Sequence, residues 1–311
     1  MSARDLETLE VLEPGLLLTV QDLGRPGYED LGVPQAGAAD GAALAIANGL
    51  VGNSPNAAGL EGTLLGPRLR ALRQVTLALA GADLDPIVEP GGRSIDPARP
   101  FQLAAGDELA FRATGDPDRG CRVYVAIAGG IDVPVILGSR STSLVGSFGG
   151  FNGRPLRAGD IVAALAPEAD RATLPPGDAA TTAIPSPDRP IRVFRGPAAA
   201  EPGGAGRWAA FLAAPWTVGL DSDRRGLRLE PGPGAPPLSE GAAGDRPSHG
   251  VVVGAIQLTP SGQPLVLMPD GGVTGGYPVL AIVASSDRSR LGQLTPGAEI
   301  RFTEARVRFS E

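Results

Sequence analysis

Short apolar runs bounded by glycine, proline or aspartate recur along the whole chain, at 15–20, 75–80, 122–128, 191–194, 251–258, 264–268, 279–284 and 299–302. They are strand-length and rich in β-branched residues or leucine, which predicts β-strands. Helical spacing is scarce. It is clearest over 41–51, where Ala43, Ile46, Ala47 and Leu50 recur at helical intervals, Asp40 is placed to cap the start and Gly52 to end it. Shorter helical patterns lie at 207–213 and 287–291, the last capped by Ser285 or Ser286. Many strands and three small helices predict an all-β class of barrels or sandwiches, not βαβ units.

A small internal echo supports this. The strings 103–109, 156–162 and 294–300 share the form L-x-x-G-[DA]-x-apolar. Each is expected to be a tight turn that launches a strand, with glycine supplying a positive φ and the flanking apolar residues belonging to the barrel wall. The stretch 166–190, with prolines at 167, 175, 176, 185 and 187 and no apolar periodicity, is the natural linker. The chain is therefore divided into an N-terminal β subdomain over 1–170, a linker over 171–190 and a C-terminal β subdomain over 191–311. A second poor stretch, 231–247, is expected to be a surface loop.

Composition narrows the chemistry. The chain has 311 residues, 27 basic against 34 acidic groups for a net charge of −7, and every basic residue is arginine. Without lysine there is no pyridoxal Schiff base, no Walker A lysine, and no attachment point for biotin or a lipoyl group. One cysteine, Cys121, and one histidine, His249, exclude a structural zinc site and an internal disulfide. An acidic chain without a basic tract is not a general nucleic-acid binder. No apolar run approaches a membrane span, and the acidic start is not a secretory signal, so a cytoplasmic location is expected.

Four segments set polar residues among glycines, where backbone N–H groups can approach a ligand. The first runs from Gln21, Asp22 and Arg25 to Asp40. Arg25 is a candidate fork for a carboxylate or phosphate with Asp22 orienting it, and an ordinary surface turn with Asp40 as a simple cap is the alternative. The second is Ala128–Asp132 followed by Gly138, Ser139, Arg140, Ser141 and Thr142, an anion nest or a plain polar loop. The third, around Asp223 and Arg224, alternates acids and arginines and reads either as a site or as a surface ion-pair network. The fourth runs from Gln257 past Asp270 to Thr274, Gly275, Gly276 and Tyr277, where amide side chains, a threonine, a tyrosine and two adjacent glycines suit a planar ureido or lactam group, or simply form a buried turn. His249 is a candidate general base or a turn residue, and Cys121, opening an apolar strand, is expected in the core.

In order, T-V-Q-D-L-G-R-P-G (19–27), G-V-P-x-A-G-A-x-D (32–40), A-N-x-L-V-G-N (47–53), A-G-G-I-D (128–132), L-G-S-R-S-T (137–142), S-D-R-x-G-L-R-L (222–229), G-A-I-Q (254–257) and T-G-G-Y-P (274–278) resemble allophanate hydrolase subunit 2. This family is also described as biotin-dependent carboxyltransferase subdomains C and D, and as the C-type subunit of 5-oxoprolinase. The likeness runs from about residue 11 to 302. It implies two cyclophilin-like β-barrel halves and a partner of the subunit 1 type, fused or separate. It further implies one of three functions. The first is a subunit of an ATP-dependent 5-oxoprolinase, acting with that partner and a lactam-hydrolase subunit. The second is a carboxyltransferase half that handles biotin carried elsewhere, as in urea carboxylase, and the third is a regulator that binds a subunit 1-type kinase inhibitor. The stand-alone length fits the first or the third, and the first would use ATP, with Mg allowed for and the nucleotide site either shared with a partner or supplied wholly by one. By motif, the resemblance assigns catalysis to Asp22, Arg25, Arg140, Asp223, Arg224 and Tyr277. Substrate contact falls to Gln21, Asp40, Ser141, Thr142, Gln257, Thr274, Gly275 and Gly276, and no metal ligand is assigned. Val273, where a threonine is frequent, and Arg225, where a methionine is frequent, depart from the pattern and bear on substrate identity.

Overall fold

The computed structural model describes residues 7–97, 99–112, 119–167, 189–235, 238 and 247–306. The expected linker lies outside these residues as far as 188, as does most of the expected 231–247 loop. The chain falls into two compact units, Met1–Pro26 with Gln35–Ala183, and Gly27–Pro34 with Ile184–Glu311. The excursion of Gly27–Pro34 into the second unit is a feature that the expected linear division lacks.

The first unit contains β1 (Glu7–Glu13), β2 (Leu17–Gln21), α1 (Gly41–Leu50), β3 (Gly59–Thr63), β4 (Arg68–Ala71) and β5 (Val75–Gly81). It continues with β6 (Pro86–Glu89), β7 (Arg93–Ser94), β8 (Phe101–Leu103), β9 (Glu108–Phe111), β10 (Arg122–Ile127) and β11 (Ile161–Ala163). Two sheets, ordered β11-β1-β4-β9-β6-β7 and β2-β3-β10-β5-β8, enclose a core that includes Leu9, Val11, Leu18, Leu60, Leu77 and Val125. β10 shows why a strand can be apolar throughout. Val123, Val125 and Ile127 face that core, whereas Tyr124 and Ala126, on the other face, pack with Ala43, Leu44 and Ala47 of α1. Alanines at the helix–sheet contact permit close approach, and Gly59 continues it, since a Cβ there would lie 3.0 Å from Leu44 Cδ1. Asp40 caps α1, its side chain accepting from Ala43 N at 2.9 Å.

The second unit contains β12 (Ile191–Arg195), α2 (Gly204–Ala213), β13 (Trp216–Val218), β14 (Gly226–Pro231), β15 (His249–Gly250), β16 (Ala255–Leu258), β17 (Pro264–Leu267), β18 (Thr274–Gly275), β19 (Val279–Val283), α3 (Arg288–Leu291), β20 (Glu299–Ile300) and β21 (Phe302–Glu304). Its main sheet is ordered β20-β13-β14-β17-β16-β19-β12-β21. The two edge strands are consecutive in the chain, separated by Arg301 alone. Ile300 pairs with Trp216 at one edge and Phe302 with Ile191 at the other, so the sheet curls until its edges nearly meet as a barrel. The sequence pattern reads 299–302 as one strand, and the structure divides it because the chain changes partner at Arg301. Phe211 of α2 packs on Phe302 and Trp216, and Trp216 Nε1 donates to Phe211 O at 3.0 Å.

The three L-x-x-G turns are built alike. Gly106, Gly159 and Gly297 have φ of 92, 86 and 86°, and β9, β11 and β20 each begin two residues later. In each turn the glycine N–H donates to one residue of the neighbouring strand, and the next carbonyl accepts from that residue's N–H. The residue is Ala71 for the first turn, Val11 for the second and Val218 for the third. The repeat therefore sets strand register twice in the first unit and once in the second. The expected strand over 251–258 begins only at Ala255, because Val252 and Ala255 close a turn at Gly254, whose φ is 86°.

Candidate functional site

In the first unit, β2 ends at Gln21 and delivers Asp22 to the turn Ser139–Thr142, more than a hundred residues away in sequence. Asp22 Oδ1 accepts from Ser139 Oγ at 2.7 Å, from Ser141 Oγ at 2.5 Å and from Gly24 N at 2.8 Å, while Oδ2 accepts from Arg140 N at 2.6 Å. Four donors on one buried carboxylate fix the turn and disperse the charge. Arg25 holds the same turn from another direction. It is 1% exposed, its Nη2 donates to Ser141 O at 2.5 Å, and its guanidinium lies 4.9 Å from the centroid of the Phe148 ring. The Arg25 side chain, a candidate fork in the sequence, is thus directed into the protein.

Glycines explain how these segments fit. A Cβ on Gly24 would lie 2.7 Å from Gln35 O, and one on Gly37 would lie 2.7 Å from Gly24 N, so the Q-D-L-G-R and P-Q-A-G motifs meet backbone to backbone. Arg25 N donates to Gln35 O and Ala38 N to Asp22 O, both at 2.8 Å. Gly149 is pressed against Ser141, where a Cβ would come within 2.2 Å of the carbonyl oxygen.

Gln21 is fully buried and donates from Nε2 to Thr19 Oγ1 at 3.0 Å, while its Oε1 has no hydrogen-bond partner. Thr142 donates from Oγ1 to Val20 O at 3.0 Å. Arg140 differs from its neighbours. Its backbone is pinned by Asp22, its side chain is partly buried, and its guanidinium makes no hydrogen bond or ion pair with another described residue.

Asp40 lies in a separate buried network. Its N–H donates to Tyr124 Oη at 2.8 Å, and that hydroxyl donates to Glu61 Oε2 at 2.8 Å. Burial, with Glu61 and Asp40 beside it, pushes the Tyr124 phenol well above its ordinary value. The A-N-x-L-V-G-N motif is structural as well. Asn48 donates to Ala57 O at 2.8 Å and accepts from Asn53, which also binds Ile127 O and Gly129 N, each at 2.8 Å. Cys121 is buried, and burial raises its thiol above the usual range.

In the second unit, Arg224 forms a two-pronged ion pair with Asp270, Nε to Oδ2 at 2.9 Å and Nη2 to Oδ1 at 3.1 Å, with side chains 3% and 2% exposed. Asp270 had no role assigned from sequence, because its partner lies 46 residues away. Asp223 points outward and closes a local turn, accepting from Arg225 N at 2.7 Å and from Arg225 Nε at 3.0 Å.

A short ribbon, β15 with β18, pairs His249 with Gly275 and Gly250 with Thr274. Behind it stands Gln257 on β16, 4% exposed, whose Nε2 donates to Tyr277 O at 3.3 Å. A Cβ on Gly275 would come within 2.8 Å of that Nε2, so glycine is needed for the amide to lie there. Thr274 and Tyr277 are exposed and His249 is too, so one buried amide and three solvent-facing polar side chains share a small surface with the Gly275–Gly276 backbone.

With this geometry, the chain matches the carboxyltransferase domain, subdomain A and B, over residues 31–304, and it belongs to that family. The match carries the labels A and B where the sequence resemblance gave C and D. The C-type subunit of the 5-oxoprolinase of Escherichia coli K12 is 34% identical over 303 residues, covering 95% of this chain and 91% of that protein. The urea amidolyase of Lachancea kluyveri is 36% identical over 312 residues, but the chain spans only 17% of that protein's length. The crystal structure of the Kluyveromyces lactis urea carboxylase matches with a TM-score of 0.79 at 33% identity, covering 96% of this chain and 27% of that one. Among the described residues, no helix is long and apolar enough to cross a membrane.

Proposed function

We propose that the chain is one subunit of a cytoplasmic assembly that opens the lactam ring of 5-oxoproline to glutamate at the expense of ATP. The observation that carries this reading is the likeness to the C-type subunit of a 5-oxoprolinase along nearly the full length of both proteins. Its other members would be a subunit 1-type protein and a lactam-hydrolase subunit. Of Arg25, Arg140 and Arg224, only Arg140 lacks a described partner, and a single cation does not fit a triphosphate. Arg25 and Arg224 are engaged by internal acceptors, the chain has no lysine, and a triphosphate needs several cations at once. The reading therefore gives ATP, and any Mg with it, to another subunit, and gives this chain the recognition of the amide substrate. The Gln257 amide beside Gly275, with Thr274 and Tyr277 at its edge, has the donors and acceptors that a planar lactam requires. Co-expression with the two other subunits, followed by measurement of glutamate formed from 5-oxoproline with and without ATP, tests the reading. ATP-dependent release supports it, and a stable assembly that forms no glutamate refutes it.

A second reading, a carboxyltransferase half acting on carboxybiotin bound to a separate carrier, draws on the family match and on the urea amidolyase likeness. It requires free biotin to bind the assembled pair near Thr274–Pro278. Calorimetry that detects no biotin binding there would exclude it.

A further inference from the structure

Asp270 stands near the head of the loop that leads from β17 to β18 and carries Thr274 and Gly275. At its start the loop is tied to the segment that precedes β14. Met268 N donates to Arg225 O and Asp270 N to Arg224 O, both at 3.0 Å, and the Asp270 carboxylate accepts both prongs of the Arg224 guanidinium. Gly271 continues the contact, since a Cβ there would lie 2.8 Å from Arg225 O. At the far end Val251 N donates to Val273 O at 2.9 Å, Gly250 pairs with Thr274, and Gly275 is pressed against Gln257 Nε2. Between Asp270 and Thr274 lie only Gly271, Gly272 and Val273. The two glycines have no side chain to pack, so the path of the loop is set by the ties at its ends.

A buried ion pair is a poor source of stability, because desolvation offsets the attraction and apolar side chains of similar volume often serve as well. What apolar side chains lack is direction. A two-pronged contact between guanidinium and carboxylate fixes both the separation and the plane of its partners. We infer that the Arg224–Asp270 pair is a positioning device for the amide-binding surface, holding Thr274 and Gly275 in place beside Gln257. All of these residues belong to the second unit. Arg224, a catalytic candidate by motif, and Asp270 act through the backbone of 270–275 and not by contact with substrate. The inference deepens the proposed function and rests on it for the choice of a lactam as ligand, while the link from Asp270 to Gln257 stands apart from that choice.

The test uses the full chain labelled with 15N at glutamine. The side-chain amide resonances of Gln257, identified by their loss in Q257M, are compared in the parent, in R224M/D270L and in F211L, below the melting transition of each. R224M/D270L replaces the pair with apolar side chains, and F211L loosens the core beside Phe302 and Trp216. The resonances should shift in R224M/D270L and keep the parent position in F211L, which a merely structural role would not distinguish. D270N, close to aspartate in volume and with one oxygen left to accept, is the second variant and should shift them the same way by less. In the assembly with the other subunits, R224M/D270L should raise KM for 5-oxoproline about tenfold or more with a smaller change in kcat, and F211L should alter neither. Parent resonances in folded R224M/D270L and D270N, or an equal shift in F211L, would overturn the inference. Failure of both pair variants to fold would overturn it as well, since the pair would then be structural. A shift of the Gln257 resonances with KM unchanged would leave the positioning role standing and refute the placement of the lactam on this surface.

Discussion

Ser141 closes a two-way bond with Asp22 across 119 residues of sequence: Asp22 N donates to Ser141 Oγ at 2.9 Å, and Ser141 Oγ donates to Asp22 Oδ1 at 2.5 Å. One hydroxyl thus satisfies a buried N–H and a buried carboxylate together. The arrangement joins the end of β2 to the turn that presents Arg140. S141A should leave both groups short of a partner and cost about 2–3 kcal/mol of stability in urea denaturation. An S141A midpoint equal to that of the parent would show that the turn is held by other means.

The buried Arg224–Asp270 pair predicts an asymmetry. D270A strands a guanidinium in the interior and should destabilise by roughly 3–5 kcal/mol, whereas R224M combined with D270L should recover much of that loss. Thermal melts of the single and double variants check it. Equal melts for D270A and the double variant would contradict it.

At Gly275 the expected change is in recognition, not in stability. An added Cβ would come within 2.8 Å of Gln257 Nε2, the end of a flexible side chain, so G275A should displace the amide with a small effect on the melt. In the assembled enzyme, KM for the lactam should rise while the folded fraction stays constant. Gly149 should behave differently. Its φ is 72° and its Cβ would meet the Ser141 carbonyl at 2.2 Å, so G149A should cost more than about 1 kcal/mol.

Acid sensitivity follows from the turn at Gly159. The hydrogen bond from Arg154 holds the Asp160 carboxyl below its ordinary value, with the Arg157 N–H adding to it and burial opposing it. A depressed folded-state value means that the stabilisation is fully present above the unfolded value near about pH 4, and is lost as pH falls through the folded one. D160N should therefore be less stable than the parent at pH 7, by less than about 1 kcal/mol because the pair is solvent-screened. The gap should narrow at about pH 2–3, which urea titrations at the two pH values would measure. A gap that widens in acid would reverse the assignment.

Much of this was legible in the sequence because local signals and the fold agree. The Asp40 cap, α1 and the three L-x-x-G turns are dictated by residues within one turn of each other. Strands β1 and β3 were less legible. β1 places Leu9 and Val11 among acids and a threonine, and β3 is G-L-E-G-T, where Gly59 makes room for Leu44 and Glu61 is buried against Tyr124. Nothing near these residues in sequence announces their partners. The site was legible as a set of residue types and not as a set of roles. Asp22, Arg25, Arg140, Ser141 and Thr142 come together, yet only the fold shows that Arg25 turns inward and that Asp270 answers Arg224. Asp223 and Arg224, adjacent in sequence, part ways because one faces solvent and the other a buried carboxylate.

The most direct test of the proposed function is to follow ADP and glutamate together in the assembly with and without this chain, supplied with 5-oxoproline and ATP. The complete assembly should form both products in matched amounts, and glutamate formation should be lost when this chain is omitted. Undiminished glutamate formation in its absence would contradict the claim that the chain is a working subunit of the enzyme.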